Sequence, residues 1–185
     1  MNGQNLAESA HSVLSVYPQA STGAVSAQAW SMKEAEHVTI YIQFGTEGGS
    51  PLTVPVSIIM NQCTSAAGAN PTAMPFRYYY QLLGGAGNDV LNGNAGALTN
   101  TTGPGPNWAA STGITSFPAT VSGLLYVIEM DSAELCAIAD AVGTQTEYPY
   151  LVPAITLGAS STPVAVLAVL TGMRHAEKAS YTQTT

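Results

Sequence analysis

The chain has 185 residues, 46% of them apolar, which is enough for one domain with a sizeable core and short for two. Only 8% are charged, against about 25% in an ordinary soluble domain, and the net charge is −7. Four basic residues, Lys33, Arg77, Arg174 and Lys178, cannot supply the clustered phosphate contacts of a nucleic-acid binder, and so few charges point to a surface covered by other copies or by a partner.

The N-terminus, MNGQNLAESAHSVLSVY, has no basic start and no continuous apolar run, so no secretory signal is read there. Leu6, Ala10, Val13 and Leu14 fall close to helical spacing and allow a short amphipathic helix. The simpler expectation is that residues 1–22 form a flexible arm that orders when it docks. Pro18 and Gly23 interrupt the pattern, and Trp30 is the expected start of the folded body.

HVTIYIQF (His37–Phe44) alternates, with Val38, Ile40, Ile42 and Phe44 on one face, and reads as a half-buried strand. Gly45, Gly48, Gly49 and Pro51 mark a turn. The next strand, Val54–Met60, carries Pro55 near its start, as an edge or bulge allows, and the two together look like a hairpin. Phe76–Leu83 (FRYYYQLL) is a third strand whose three tyrosines put aromatic surface on both faces.

Residues 84–119 are rich in Gly, Asn and Thr without periodicity, and a loop this long inside a domain is functional or clamped by a neighbour. The run Leu124–Met130 then reads as a central strand buried on both faces. It is stopped by Asp131–Glu134, a polar stretch that caps a turn through Leu135. A short helix is expected over Ala133–Val142. Tyr148–Leu157 and Pro163–Leu170 are the last strands, separated by the turn Gly158–Ser161. The apolar run 163–170 is far below the roughly 18 residues of a membrane span. The tail 176–185 is polar and expected to be mobile.

These elements predict an all-β chain: a single domain spanning 1–185, with an antiparallel β-sandwich or jelly-roll-like barrel over 23–175. Cys63 and Cys136 could pair, but two cysteines so far apart are read first as buried thiols.

Candidate chemistry is sparse. Gly84–Gly93 (GGAGNDVLNG) fits one turn of the calcium-binding nonapeptide, with Asp89 as the hard oxygen ligand. Calcium in that motif sits between stacked turns, and NGNAGAL at 92–98 lacks the aspartate, so a glycine-rich loop is the better reading. His11, His37 and His175 have no metal-ligand spacing, and no G-x-S-x-G is present. His37 is expected at a surface or edge, Asp131 and Glu134 as a cap and a solvated turn residue, and Arg174 and His175 in an edge ion pair with Glu177 or Glu129. No catalytic residue and no cofactor are assigned, and an enzyme is not expected.

The order of elements resembles a family of small tailed-phage virion proteins made beside the major capsid protein, which decorate or cement the head. The resemblance is carried by VTIYIQFG, PFRYYYQL before a Gly/Asp loop, LYVIEMDSAEL (Leu125–Leu135) and the closing GMRHA (Gly172–Ala176). It spans roughly residues 30–178 and departs from the family pattern at 92–119. It implies a protein of the outer capsid surface whose partners are the major capsid protein and copies of itself, a trimer being favoured, with no nucleic acid and no membrane. The acidic balance suits a place away from packaged DNA. Lattice and intersubunit contacts are then expected from the arm and the long loop. The interface side chains are expected to be Leu6, Val13, Leu14, Tyr17, Tyr79 and Trp108, and removal of 1–22 should abolish capsid binding without disturbing the fold. Two other readings stay open: another virion part, such as a tail tube, collar or head fibre, and a calcium- or glycan-binding β module.

Overall fold

Apolar side chains at alternate positions decide where the chain folds into strands. In His37–Gly45, Val38, Ile40, Ile42 and Phe44 are fully buried while the residues between them face out. The computed structural model describes residues 10–45, 55–83, 107–117, 123–135, 138–139, 145–146 and 149–172. Its strands in chain order are β1 (Ala10–Ser21), β2 (Ala24–Val25), β3 (Trp30–Ser31), β4 (His37–Gly45), β5 (Ser57–Cys63), β6 (Thr72–Met74) and β7 (Phe76–Leu83). They continue with β8 (Asn107–Ala109), β9 (Gly123–Asp131), β10 (Ile138–Ala139), β11 (Gln145–Thr146), β12 (Tyr150–Thr156) and β13 (Thr162–Thr171).

Two antiparallel sheets form a sandwich. One has six strands in the order β1-β13-β4-β9-β7-β8; the other runs β2-β12-β5-β6, with β3 also paired to β12. β10 and β11 make a separate two-stranded ladder. Ile40, Ile42, Phe44, Leu124, Ile128 and Met130 of the first sheet share one core cluster with Ile58, Met60, Leu151 and Ile155 of the second.

At one end that core is aromatic. Tyr126 of β9 is 1% exposed and touches Phe44 and Phe117 edge-on, with ring centres 6.4 and 5.8 Å away. Tyr78 and Tyr80 lie 5.9 Å from it on the neighbouring strand. The tyrosine run of β7 is thus divided by its pleat, with Tyr78 and Tyr80 packed on the core and Tyr79 on the opposite face. Burial pushes the Tyr126 and Tyr78 hydroxyls above their usual pKa.

Strands over 37–44, 76–83, 124–130, 150–156 and 163–170 follow the sequence expectation, as does the turn after residue 157. Four expectations change. Residues 10–21 are not a helix or an undocked arm but strand β1, paired along β13 with two register shifts around Val16. An otherwise bare strand edge captures a segment that can turn apolar side chains, here Val13 and Val16, toward the core. At the irregularity the Ser15 hydroxyl donates to the Gln28 carbonyl (2.7 Å) and the Gln28 N–H donates back to the Ser15 carbonyl (3.1 Å), tying β1 to the crossing chain. Removing 1–22 would strip an edge strand, so it would damage the fold rather than leave it intact.

β4 and β5 do not form a hairpin: β4 pairs with β13 and β9 in one layer, β5 with β12 and β6 in the other. Residues 107–117 of the expected loop are ordered, β8 pairing with β7 and Ile114 bridging to Ile58 across the layers. The helix expected over 133–142 is replaced by a single 3-10 turn, Ser132–Glu134, and by β10. Backbone groups of this stretch are instead satisfied by the pairing of β10 with β11. Cys63 is a buried free thiol whose pKa burial raises. Asp89, Cys136 and the tail 176–185 lie outside the described residues.

Where the crossing chain meets β5, Gly113 has φ +77° and no room: a Cβ there would press on the Ile58 carbonyl oxygen and lie 2.7 Å from Ile59 Cγ1. Gly68 has a similar φ of +73° and open space. Gly68→Ala should cost about 1–2 kcal/mol, the left-handed penalty alone, and Gly113→Ala a further ~1–3 kcal/mol from overpacking. Urea unfolding of the two variants measures the difference, and equal losses would mean that residue 113 does not approach β5 this closely.

Candidate interaction surface

Because pairing in the six-stranded sheet is in register, outward side chains fall into rows that cross the strands. One row runs Leu14, Leu167, Tyr41, Val127, Tyr79 over β1, β13, β4, β9 and β7. Leu14 and Leu167 are each 37% exposed and Tyr41 is 38% exposed. Val127, in the middle of β9, is buried at 8% exposure, though it lies outside the main core cluster. On one side of this row comes Ala165, Gln43 and Leu125. On the other come Ser12, Val169, Thr39, Glu129 and Arg77, and then Ala10, Thr171, His37 and Asp131. Among the described residues, charge on this face is confined to that second end.

Of the expected interface residues, Leu14 and Tyr79 lie on the row, and Tyr17 stands 68% exposed further along β1. Val13 turns the other way and packs against the core, because it alternates with Leu14 on a strand rather than sharing a helix face with it. Trp108 sits on β8 opposite Arg77 in register, and Leu6 lies outside the described residues. Tyr41, Leu167 and Val127 were not expected. Tyr41 had a signal: it is the one aromatic residue on the polar face of HVTIYIQF. Leu167 and Val127 had none, since both are flanked in sequence by apolar residues.

The charged end is knit together. Asp131 Oδ1 lies 2.7 Å from His37 Nδ1, so the carboxylate holds the ring with its proton on that nitrogen. Arg77 Nη2 donates to Asp131 Oδ2 at 2.9 Å and lies 3.4 Å from Glu134 Oε1. The 3-10 turn brings Glu134 back so that its Oε2 accepts the Asp131 backbone N–H at 2.9 Å. His37 is at the surface, as expected, about one-third exposed on the outer face, but it stands on an interior strand rather than at a sheet edge. Asp131 and Glu134 do more than cap a turn, since both also engage Arg77. Glu129 stands opposite Arg77, while Arg174 and His175 lie outside the described residues. The hydrogen bond with His37, opposed by burial and reinforced by Arg77, holds the Asp131 carboxyl below the usual carboxylate range.

Thr39 Oγ1, His37 and Asp131 follow the order of a nucleophile, base and orienting acid, but the geometry is poor for that chemistry. Thr39 Oγ1 is 3.4 Å from Nε2, and Asp131 is shared with Arg77, which competes for its charge. The backbone N–H groups of β4 and β9 are committed to the ladder, leaving no pair to hold an oxyanion. The cavities near Gln43 and Pro163 and near Gln28 and Gly68 do not reach Thr39. The arrangement is suited to clamping β4, β7 and β9 at one end. Among the described residues, no group of three His, Cys, Asp or Glu could hold a metal ion, and no helix is long and apolar enough to cross a membrane.

The depressed Asp131 pKa has a defined sign. Its pairing adds stability that is complete above the unfolded pKa of about 3.9 and is lost as pH falls through the lower folded value. The Asp131 side chain is 47% exposed, so solvent screening limits the contribution to about 1 kcal/mol. Asp131→Asn should lower the Tm at neutral pH and flatten its fall below about pH 4. A wild-type acid limb no steeper than that of the variant would mean that Asp131 is unpaired in solution.

Compared with known proteins, the chain matches no family model, no curated protein and no solved structure.

Proposed function

We propose that the protein is a non-enzymatic virion structural protein that decorates the outside of a phage capsid and cements the expanded head. The observation that carries this reading is the uncharged row Leu14–Leu167–Tyr41–Val127–Tyr79, laid in register across five strands of a rigid sheet. A chain that worked alone would place charge there, because exposed apolar rows promote association. Interface cores are depleted in charge and enriched in aromatic residues, which is the composition of this row, and the chain as a whole shares the depletion in charge. The resemblance of VTIYIQFG, PFRYYYQL, LYVIEMDSAEL and GMRHA to head-decorating proteins supplies the kind of assembly and its partner, the major capsid protein.

Such a protein needs no reaction. Each copy adds buried area, roughly 1,200–2,000 Å² for a standard interface, and repetition around a closed shell makes weak sites act together. The layers of the sandwich are tied by backbone hydrogen bonds at Ser15–Gln28 and Ile58–Ile114, as suits a part under load.

Mixing the purified chain with empty expanded capsids and sedimenting them tests the reading. Binding should saturate at a fixed ratio to the capsid subunits and raise the temperature at which the capsids fall apart. Assembly of the chain alone into tubes or rings, with bare capsids, would assign it to the tail or collar. The absence of both binding and assembly would overturn the proposal.

A further inference from the structure

We propose that the outer face of the six-stranded sheet is the docking surface for a second copy of this chain, packed face to face about a two-fold axis that runs along the row Leu14–Tyr79. The inference rests on the assembly reading above in taking this face to be covered in the working particle.

Area is the first argument. With strands about 4.8 Å apart and outward residues about 6.8 Å apart along them, the face from β1 to β7 offers on the order of 600 Å². Two copies would bury about 1,200 Å², the lower bound for a specific interface.

Charge decides the geometry. Face-to-face pairing of identical sheets can use a two-fold along the strands or one across them. An axis along β4 leaves the strand direction unchanged and puts Glu129 and Asp131 of both copies at the same end of the contact, about 10 Å apart across the strands. An axis along the row reverses the strand direction, so the charged end of each copy lies over Ala165, Gln43 and Leu125 of its mate. The two acidic clusters are then about 14–27 Å apart along the strand direction, beyond the roughly 8 Å Debye length at physiological salt. Tyr41, third of the five residues in the row, meets its own counterpart at the centre, flanked by Leu167 and Val127. The row needs no basic residue from its partner, and this chain has only four to offer.

Sedimentation velocity of the full chain over a wide concentration range, without capsids, tests this. A reversible dimer is expected, unchanged or tightened by added salt, because each copy carries −7 and the contact is apolar. Tyr41→Glu and Leu167→Lys, opposite in charge, should each weaken it on the order of a hundredfold, since each substitution acts twice in a two-fold contact. Val56→Glu, at an exposed position on β5's approach in the other sheet, should leave the dimer unaffected. Unchanged far-ultraviolet dichroism and melting of the variants would show that the monomer fold persists.

A wild-type monomer throughout would overturn the proposal, meaning that another segment of the chain or a different protein covers the face. So would a three-fold particle, or a dimer indifferent to Tyr41→Glu and Leu167→Lys. Capsid binding by a monomer would reject the dimer and leave the decoration reading standing. A dimer that ignores capsids would do the reverse.

Discussion

A residue-for-residue ladder joins β4 to β9, from His37 opposite Asp131 to Gly45 opposite Gly123, and the other strands of that sheet take their register from it. Side chains on a strand alternate with a period of two, so a slip of one residue would send Ile40, Ile42 and Phe44 outward and bring Tyr41 and Gln43 into the core. Burial of the first set forbids the slip. The same register assembles the outer row and brings His37, Arg77 and Asp131 together, so core and surface follow from one pairing.

That surface is divided. Along most of the face the row offers apolar and amide groups, and at one end a half-exposed ion-pair network closes it. Networks of this kind contribute little to stability for each pair, but they fix which strands end together and keep charge away from the apolar area. The opposite design, charges spread evenly over the face, is what a solitary sandwich would show. The layers are joined at their margins by crossing chain: Gln28 reaches Ser15 on one side and Ile114 reaches Ile58 on the other. Gly113 lets that second crossing approach β5 more closely than any side chain would allow.

Much of the fold could be read from local pattern. HVTIYIQF and FRYYYQLL declare themselves by alternation, and LLYVIEM by a run too short for a helix. Tyr79 and Leu14 were found as surface residues, one by its place in the tyrosine run and one by its place near the N-terminus. Tyr41 is visible in the sequence only as one aromatic residue on a polar face, and it joins a row once a neighbouring strand lies beside it. The Asp131–Glu134 stop was recognised as a cap, whereas its link to His37, 94 residues away along the chain, left no trace in spacing.

Strand content, the apolar faces, the shortage of charge and the all-β class were settled by residue type and period alone, because burial acts on each segment independently. Which strands became neighbours was not. β1 took a strand conformation because β13 presented an open edge, and β4 and β5 parted into different layers, β4 pairing with β13 and β9 and β5 with β12 and β6. Side chains scattered from Leu14 to Leu167 became one row only when non-local hydrogen bonds set their strands in register. Pairing energies between distant segments decide that arrangement, and no local window of the chain contains them.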